Sequence, residues 1–200
     1  MADIYAIATE EFLILRAGHD TDAFRELYRR YFPRVYAYVA YRVRWSLDAE
    51  DVTADIFLSV VKSFHTFEYR GEGAFSAWLF RIAYNAVNLF FRHHHEDREP
   101  LPVDDLPDIQ SGDANLEEII IARERFRRLR ERISTLSPRR QEIVTLKFFG
   151  ELRNQEIAAV LGLDERTVAS HLCRAVEDLQ RRYTDELDRK TADEPEPQPR

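Results

Sequence analysis

The sequence has a single cysteine, Cys173, and only six glycines in 200 residues. One cysteine permits no internal disulfide and no multi-cysteine metal site, which agrees with a reducing compartment. No apolar run approaches the roughly 20 residues that a membrane span needs. The N-terminal residues are acidic where a signal peptide would be basic. These absences predict a cytoplasmic protein without membrane insertion.

The chain also lacks the basic excess of a freestanding DNA-binding protein, because its net charge is -7. The acids, however, are concentrated in two stretches. Residues 96–118 carry nine acidic and one basic side chains, and residues 184–200 carry six acidic and three basic ones. Residues 119–183 carry 14 basic and nine acidic side chains. Nucleic-acid binding therefore remains open for that segment.

Apolar residues recur at helical spacing in three series within residues 1–95, which predicts a small helical bundle. The second series includes both Val60 and Val61. Pro33 interrupts the first series and is expected to kink or restart its helix. Residues 96–118 are rich in acids and proline without a helical period, so they are predicted to be a flexible acidic linker. Residues 184–200 are predicted to be a disordered acidic tail. The fold class is therefore all-α, with two small helical domains at 1–95 and 119–183.

The second domain contains the order of signals that is typical of a helix-turn-helix. Asn154 is predicted to cap a short helix, and Gly162 to supply the left-handed residue at its end. Asp164 is predicted to cap a longer helix that follows at once. In this motif the second helix lies in the major groove of DNA.

Polar residues near the start of that second helix fall on or near its outer face. They supply donors suited to phosphates and to guanine or thymine edges. The alternative is a solvated face of a structural bundle, but the ordered caps and glycine turn favour DNA binding. The predicted DNA-binding residues are Arg166, Thr167, Ser170, His171 and Arg174.

The same segment resembles a known family. Residues 136–180 read LSPRRQEIVTLKFFGELRNQEIAAVLGLDERTVASHLCRAVEDLQ. They are similar to the minus-35 promoter domain of the extracytoplasmic-function sigma factors, with its EIA-x-x-LG core and its TV-x-S-x-L-x-RA recognition helix. The resemblance implies that the five residues above contact the minus-35 element. Arg166 and Cys173 depart from the family's common pattern on this helix. The promoter sequence that the helix recognises therefore does not follow from the resemblance.

The first domain resembles the same family independently. AEDVTADIFLSVV at 49–61 is similar to the segment that docks on RNA polymerase, although Ala54 stands where the family usually has Gln. FSAWLFRIAYNAVNLFFR at 75–92 is similar to the helix that meets minus-ten DNA. The polymerase-docking residues implied are Glu50, Asp51, Asp55 and Phe57. The residues predicted to contact minus-ten DNA are Phe67, Tyr69, Arg70, Arg81, Asn85, Asn88 and Arg92.

The aromatic residues of the loop before the minus-ten helix have two possible roles. Phe67 and Tyr69 lie in the loop HTFEYRGEG, which is suited to hold a base that has left the stack. The alternative for them is packing at the edge of the core. Trp78 has apolar neighbours at helical spacing, and we expect it to belong to the core.

The resemblance implies a sigma factor that binds core RNA polymerase and promoter DNA, with an anti-sigma factor as its regulator. No catalytic centre and no cofactor are expected. Asp51 and Asp55 lack a nucleophile or metal-ligand partner nearby, and the adjacent histidines His93–His95 point in different directions, so metal binding is not expected. Two other hypotheses remain: a single helix-turn-helix regulator with a sensing or dimerisation domain, and a helical adaptor that never binds DNA.

Overall fold

The structure, a computed structural model, describes residues 4–43, 46–94 and 116–192. Most of the predicted linker, His95 and residues 193–200 lie outside these ranges. All regular structure within them is helical, which confirms the predicted all-α class. The helices are α1 (Glu10–Ala17), α2 (Thr21–Val43), α3 (Ser46–Ser63), α4 (Ala74–His94), α5 (Leu116–Ser134), α6 (Pro138–Phe148), α7 (Asn154–Leu161) and α8 (Glu165–Ala192), with a 3-10 turn at Phe64–Thr66. We call α1–α4 the first module and α5–α8 the second module.

Helix α2 is continuous through Pro33, so the predicted restart of the helix is wrong. Proline removes one backbone donor from a helix. The loss is offset here because α2 is the central helix of the first module and buries residues on both sides of the proline. Tyr31, Val35 and Tyr38 are all at most 3% exposed. Tertiary packing thus overrides the local preference.

Helix α1 was not predicted from the sequence. The residues that precede it are held in place by contacts with Arg30 of α2. The guanidinium of Arg30 donates to the carbonyl oxygens of Tyr5, Ala6 and Ala8 at 2.9–3.1 Å. Arg30 also binds the buried carboxylate of Glu26 at 2.7 Å. The hydrogen bond from Arg29, together with this one, lowers the pKa of Glu26 to about 2.

Helix α8 runs to Ala192, beyond Tyr183, where the sequence was expected to leave the folded domain. The expectation of a disordered tail is therefore wrong for residues 184–192. The helix continues because that stretch contains good helix formers and no proline before Pro195.

The two modules pack directly on each other, and one hydrophobic cluster contains buried residues of both. Helix α4 lies against α7, and α2 lies against α6. Leu79 and Phe80 of α4 share this cluster with Leu146 of α6 and Ile157 of α7, and all four side chains are completely buried. The sequence predicts two separate units; the fold joins them through a common core.

Gly162 has the left-handed conformation predicted for it, with φ at 65° and ψ at 38°. A Cβ added there would meet no atom within 4 Å, so only backbone strain opposes a side chain. We expect Gly162→Ala to lower the free energy of unfolding by about 1–2 kcal/mol in urea titrations.

The matched control is Gly18→Ala, which also has open space but a right-handed backbone with φ at -66°. It should leave stability unchanged or raise it by about 0.4–1 kcal/mol. Equal stability of the two variants would contradict strain at Gly162.

Candidate nucleic-acid and polymerase interfaces

The helix-turn-helix is formed by α7, the turn at Gly162–Asp164 and α8. The backbone N–H of Leu163 donates to the carbonyl of Ala158 at 2.9 Å, which closes the end of α7. Asp164 caps α8 as predicted: its carboxylate accepts from the backbone N–H of Thr167 at 2.8 Å. Val168 is completely buried against the rest of the motif. Because Val168 faces the rest of the motif, the opposite face of α8 is the one that is exposed.

The cap of α7 differs from the prediction, because the residue before the helix is Arg153 and not Asn154. Glu156 supplies the capping group: its Oε2 accepts from the backbone N–H of Arg153 at 2.6 Å. Its other oxygen, Oε1, accepts from the hydroxyl of Ser76 in α4 at 2.5 Å. One carboxylate therefore both caps α7 and connects it to the first module.

The outer face of α8 presents Arg166, Ser170 and Arg174, which are all exposed. Their four-residue spacing places them on one side of the helix. Such a face can meet phosphates and base edges together.

Thr167 and His171 differ from those three residues because each is half-buried. The hydroxyl of Thr167 donates to Asp164 at 2.6 Å, so this side chain already serves the cap. The Nδ1 atom of His171 is buried and has no hydrogen-bond partner among the described residues. Cys173 is exposed beside this face, and its hydrogen bond to Glu177 raises the pKa of the thiol.

The loop between α3 and α4 borders an open groove of about 750 Å³. Tyr69 and Phe67 line the groove, together with His65 from the 3-10 turn and His19 and Asp20 from the α1–α2 connection. Burial raises the pKa of Tyr69. The groove has both aromatic and polar walls, which is the composition that a nucleobase requires.

Phe67 packs against aromatic rings of α4. Its ring centroid lies 4.9 Å from Trp78 and 5.6 Å from Phe75. This arrangement agrees with packing of Phe67 at the edge of the core. Trp78, expected in the core, is half-buried and packs against the core from its edge. Arg70 is exposed and forms an ion pair with Glu68 at 3.0 Å.

The predicted minus-ten residues of α4 are not equally accessible. Asn85 and Arg92 are exposed, and Asn88 is half-buried. Arg81 is also exposed, but its guanidinium donates to the carbonyl of Ala159 in α7. One of the residues predicted to contact minus-ten DNA is thus hydrogen-bonded to the helix-turn-helix.

Three of the four predicted docking residues on α3 are exposed, and the fourth, Phe57, is buried. Glu50, Asp51 and Asp55 are exposed as a docking surface demands. Phe57 is only 8% exposed, and its ring packs 4.7 Å from that of Tyr28. The prediction of Phe57 as a direct contact is wrong, because the preceding helix α2 covers it.

Sequence reasoning missed the apolar part of this surface. Leu47, Leu58 and Val61 are 76%, 55% and 56% exposed, on the same helix as the acids. Helical spacing predicts Val61 to face inward together with Val60. The adjacent Val60 is 1% exposed, and neighbouring positions on a helix diverge by about 100°, which could have signalled that only one faces inward.

Known proteins match both modules. The model of Sigma-70 region 2 matches residues 27–96, and the model of Sigma-70, region 4 matches residues 126–179. The ECF RNA polymerase sigma factor BldN of Streptomyces coelicolor is 33% identical over 167 residues, covering 84% of this chain and 62% of BldN. The ECF RNA polymerase sigma factor SigD of Mycobacterium tuberculosis is 30% identical over 164 residues, covering 80% of this chain and 76% of SigD.

Solved structures share the fold. The structure of CnrH in complex with the cytosolic domain of CnrY superposes with a TM-score of 0.66 at 22% identity, over 88% of this chain and 97% of the other. The sigma factor RpoE of Bartonella quintana, in complex with the anti-sigma factor NepR, superposes with a TM-score of 0.59 at 20% identity, over 79% and 94%.

An all-helical chain with a C-terminal helix-turn-helix and matches to both Sigma-70 regions is a protein of the sigma-70 class. More narrowly, this chain belongs to the extracytoplasmic-function RNA polymerase sigma factors. Among the residues that the structure describes, no helix is both long and apolar enough to cross a membrane. Nor do those residues include a group of three or more potential metal ligands.

Proposed function

We propose that this chain binds core RNA polymerase and directs it to promoters by contacting the minus-35 and minus-ten elements. Residues 1–95 and 119–183 would act as the two promoter-reading domains. The observation that carries the proposal is the exposed row Arg166, Ser170 and Arg174 on the second helix of a helix-turn-helix, in a member of this family. The chain contributes recognition and no catalytic centre, and it acts in the cytoplasm, where the polymerase is.

The minus-35 element is contacted by the outer face of α8. Arg166 and Arg174 supply donors for guanine edges or phosphates, and Ser170 lies between them. Thr167 and His171 belong to the same proposed contact surface, but they are half-buried, and the hydroxyl of Thr167 is already bound to Asp164. Promoter specificity therefore depends chiefly on the two arginines.

The minus-ten element is contacted by α4 and by the loop before it. Asn85, Asn88 and Arg92 face the strand, and Arg81 joins them when it leaves Ala159. The groove lined by Phe67 and Tyr69 receives a nucleobase that has left the stack. The exposed guanidinium of Arg70, next to Tyr69 in sequence, supplies positive charge for the DNA backbone.

Polymerase docking uses the exposed side of α3, where apolar Leu47, Leu58 and Val61 accompany Glu50, Asp51 and Asp55. An apolar stripe with charged borders has the composition of a protein interface. The acids suit basic residues of the polymerase and set the orientation of docking.

We expect Leu58→Arg to weaken binding to core RNA polymerase by about tenfold or more, because the new charge would be buried against an apolar partner. The fold should be unaffected, since Leu58 is 55% exposed. Affinity is measured with immobilised core enzyme. Leu129→Arg is the matched control, since Leu129 is 44% exposed on α5. Equal affinities for the two variants would exclude this docking surface.

The net charge of -7 supports dependence on the polymerase, because repulsion from DNA disfavours binding by the chain alone. Gel shifts with and without core enzyme, followed by run-off transcription and mapping of start sites, test the proposal. Tight specific binding by the isolated chain, or no stimulation of any template, would contradict it.

An anti-sigma factor is the proposed regulator. The CnrH and RpoE structures that share this fold were solved with CnrY and NepR respectively. In this chain such a partner would cover the α3 surface or the outer face of α8. The predicted acidic linker 96–118 is shortened to 96–115, because α5 begins at Leu116. This linker is proposed to follow a polymerase channel, where its acids would imitate a phosphate chain.

A further inference from the structure

Exposed apolar side chains are concentrated at the N-terminal end of the described chain. Ile4, Ile7, Phe12 and Leu15 are 65%, 83%, 38% and 65% exposed, on α1 and on the residues just before it. Single exposed apolar residues are ordinary on a protein surface, but a close group of them marks an interaction site. We call these four residues the N-terminal patch. None of the DNA or polymerase contacts assigned above includes them.

The backbone that carries the patch is held in place by polar contacts. The guanidinium of Arg30 binds three carbonyl oxygens of the segment before α1. The hydroxyl of Tyr5 donates to Asp20 at 2.7 Å, at the start of α2. The hydroxyl of Tyr31 donates to Glu10, in the first turn of α1, at 2.6 Å. These contacts fix both the segment and the helix against α2.

This arrangement leaves Ile4 and Ile7 in water although their backbone is ordered. Ordering a chain segment costs conformational entropy, and burial of apolar side chains is the usual compensation. Here polar groups supply the compensation instead, and the two isoleucines point away from the core. A surface whose shape is fixed before binding loses less entropy when a partner arrives. The N-terminal patch is therefore preorganised for a partner.

The patch adjoins the docking surface that is proposed on α3. Leu15 of α1 and Val61 of α3 both line the groove of about 750 Å³ next to the loop before α4. Phe12 lies three residues before Leu15, so both side chains are on the same exposed side of α1. The two apolar surfaces are thus neighbours on the first module.

The two surfaces also agree in charge. Glu11 is exposed beside Phe12, as the acids of α3 are exposed beside its apolar residues. The guanidinium of Arg16 lies 5.2 Å from the ring centroid of Phe12, and it pairs with Asp20 at 3.6 Å, so its charge is partly neutralised. A partner with an apolar centre and basic borders would complement both surfaces.

The size of a stable interface favours one partner for both surfaces. Specific protein interfaces use roughly 20–30 residues from each side. The docking surface on α3 consists of six residues of a single helix. A partner that binds there must continue onto neighbouring parts of the first module, and the N-terminal patch is an adjoining apolar part.

We propose that the N-terminal patch is a second contact surface for core RNA polymerase, next to the one on α3. In the complex Ile7 and Leu15 are buried against the polymerase, and the contacts of Arg30 keep the segment before α1 in the position that binding requires. This inference rests on the proposed function, because the α3 surface is proposed there.

Ile7→Arg is expected to weaken binding to core RNA polymerase by about tenfold or more, because the new charge would lie where the complex excludes water. The full chain is titrated onto immobilised core enzyme. Leu89→Arg is the matched control, since Leu89 is 46% exposed on α4 of the same module, outside both surfaces. It adds the same charge and should leave the affinity unchanged. Equal affinities of the two variants would overturn the inference.

Thiol labelling measures burial of the patch without adding a charge. Ile7→Cys and Leu89→Cys are each made with Cys173→Ser, and the chain is labelled with a maleimide dye in the presence and absence of core enzyme. We expect the labelling rate of Ile7→Cys to fall about tenfold or more in the complex, because the centre of an interface excludes water. The rate of Leu89→Cys should not change. An unchanged rate for Ile7→Cys in the complex would overturn the inference.

Leu58→Arg and the wild-type chain separate this inference from the proposed function. If Leu58→Arg weakened binding and Ile7→Arg did not, the α3 surface would stand and the inference would fail. If the wild-type chain did not bind core enzyme, the proposed function itself would be contradicted. Sedimentation of the free chain tests a second copy as the partner. A dimer that Ile7→Arg converts to a monomer, with unchanged affinity for core enzyme, would overturn the inference.

Discussion

Replacing Arg166 and Arg174 together with alanine is expected to reduce run-off transcripts from a minus-35-dependent promoter by at least about 30-fold. Each well-placed arginine contact to a base contributes about 1–3 kcal/mol of discrimination, and about 1.4 kcal/mol corresponds to a factor of ten. Both residues are exposed on α8, so the fold should be unchanged. Binding to core polymerase should be unchanged as well, because α3 carries the proposed docking surface.

Arg181→Ala with Arg182→Ala is the matched control for this loss. Both arginines are exposed on the same helix, farther from its N-terminus, and the pair removes the same charge. If both double variants lowered transcription equally, the effect would be general attraction to phosphate, and the assignment of the α8 outer face would fail.

Replacing Ile157 with alanine should lower the free energy of unfolding by about 2–5 kcal/mol, as expected for a large-to-small change at a fully buried site. Ile157 is completely buried in the cluster that joins both modules. The variant should therefore unfold in a single transition that includes both modules, when followed by circular dichroism in urea.

Val61→Ala is the control, because Val61 is 56% exposed and its truncation should change stability by less than about 0.5 kcal/mol. Two separate transitions in the wild-type chain would contradict a common core.

The helix-turn-helix could be read from the sequence because its determinants are local. Gly162 allows a left-handed turn that other residues resist, and Asp164 binds a backbone N–H three residues ahead. Both depend on residues within one turn of helix. The sequence was less informative at Arg153, where the capping carboxylate of Glu156 is shared with Ser76 of a distant helix.

Predictions on the first module failed where burial decided the outcome. Phe57 belongs to a motif that implies docking, yet α2 covers it. Val61 was placed with the inward residues, yet it faces solvent. Apolar character alone does not distinguish a core residue from an interface residue, because both kinds of surface exclude water.

By itself the sequence determined the all-α class, the order of the helices around the turn and the helix that carries the predicted DNA-binding residues, since periodicity and capping act over a few residues. Only the tertiary structure decided that Glu142 is buried between Tyr38 and Arg42 and that Arg81 contacts α7. Those contacts join residues about 80–100 positions apart. No local pattern encodes such pairs, because they exist only once the helices have packed.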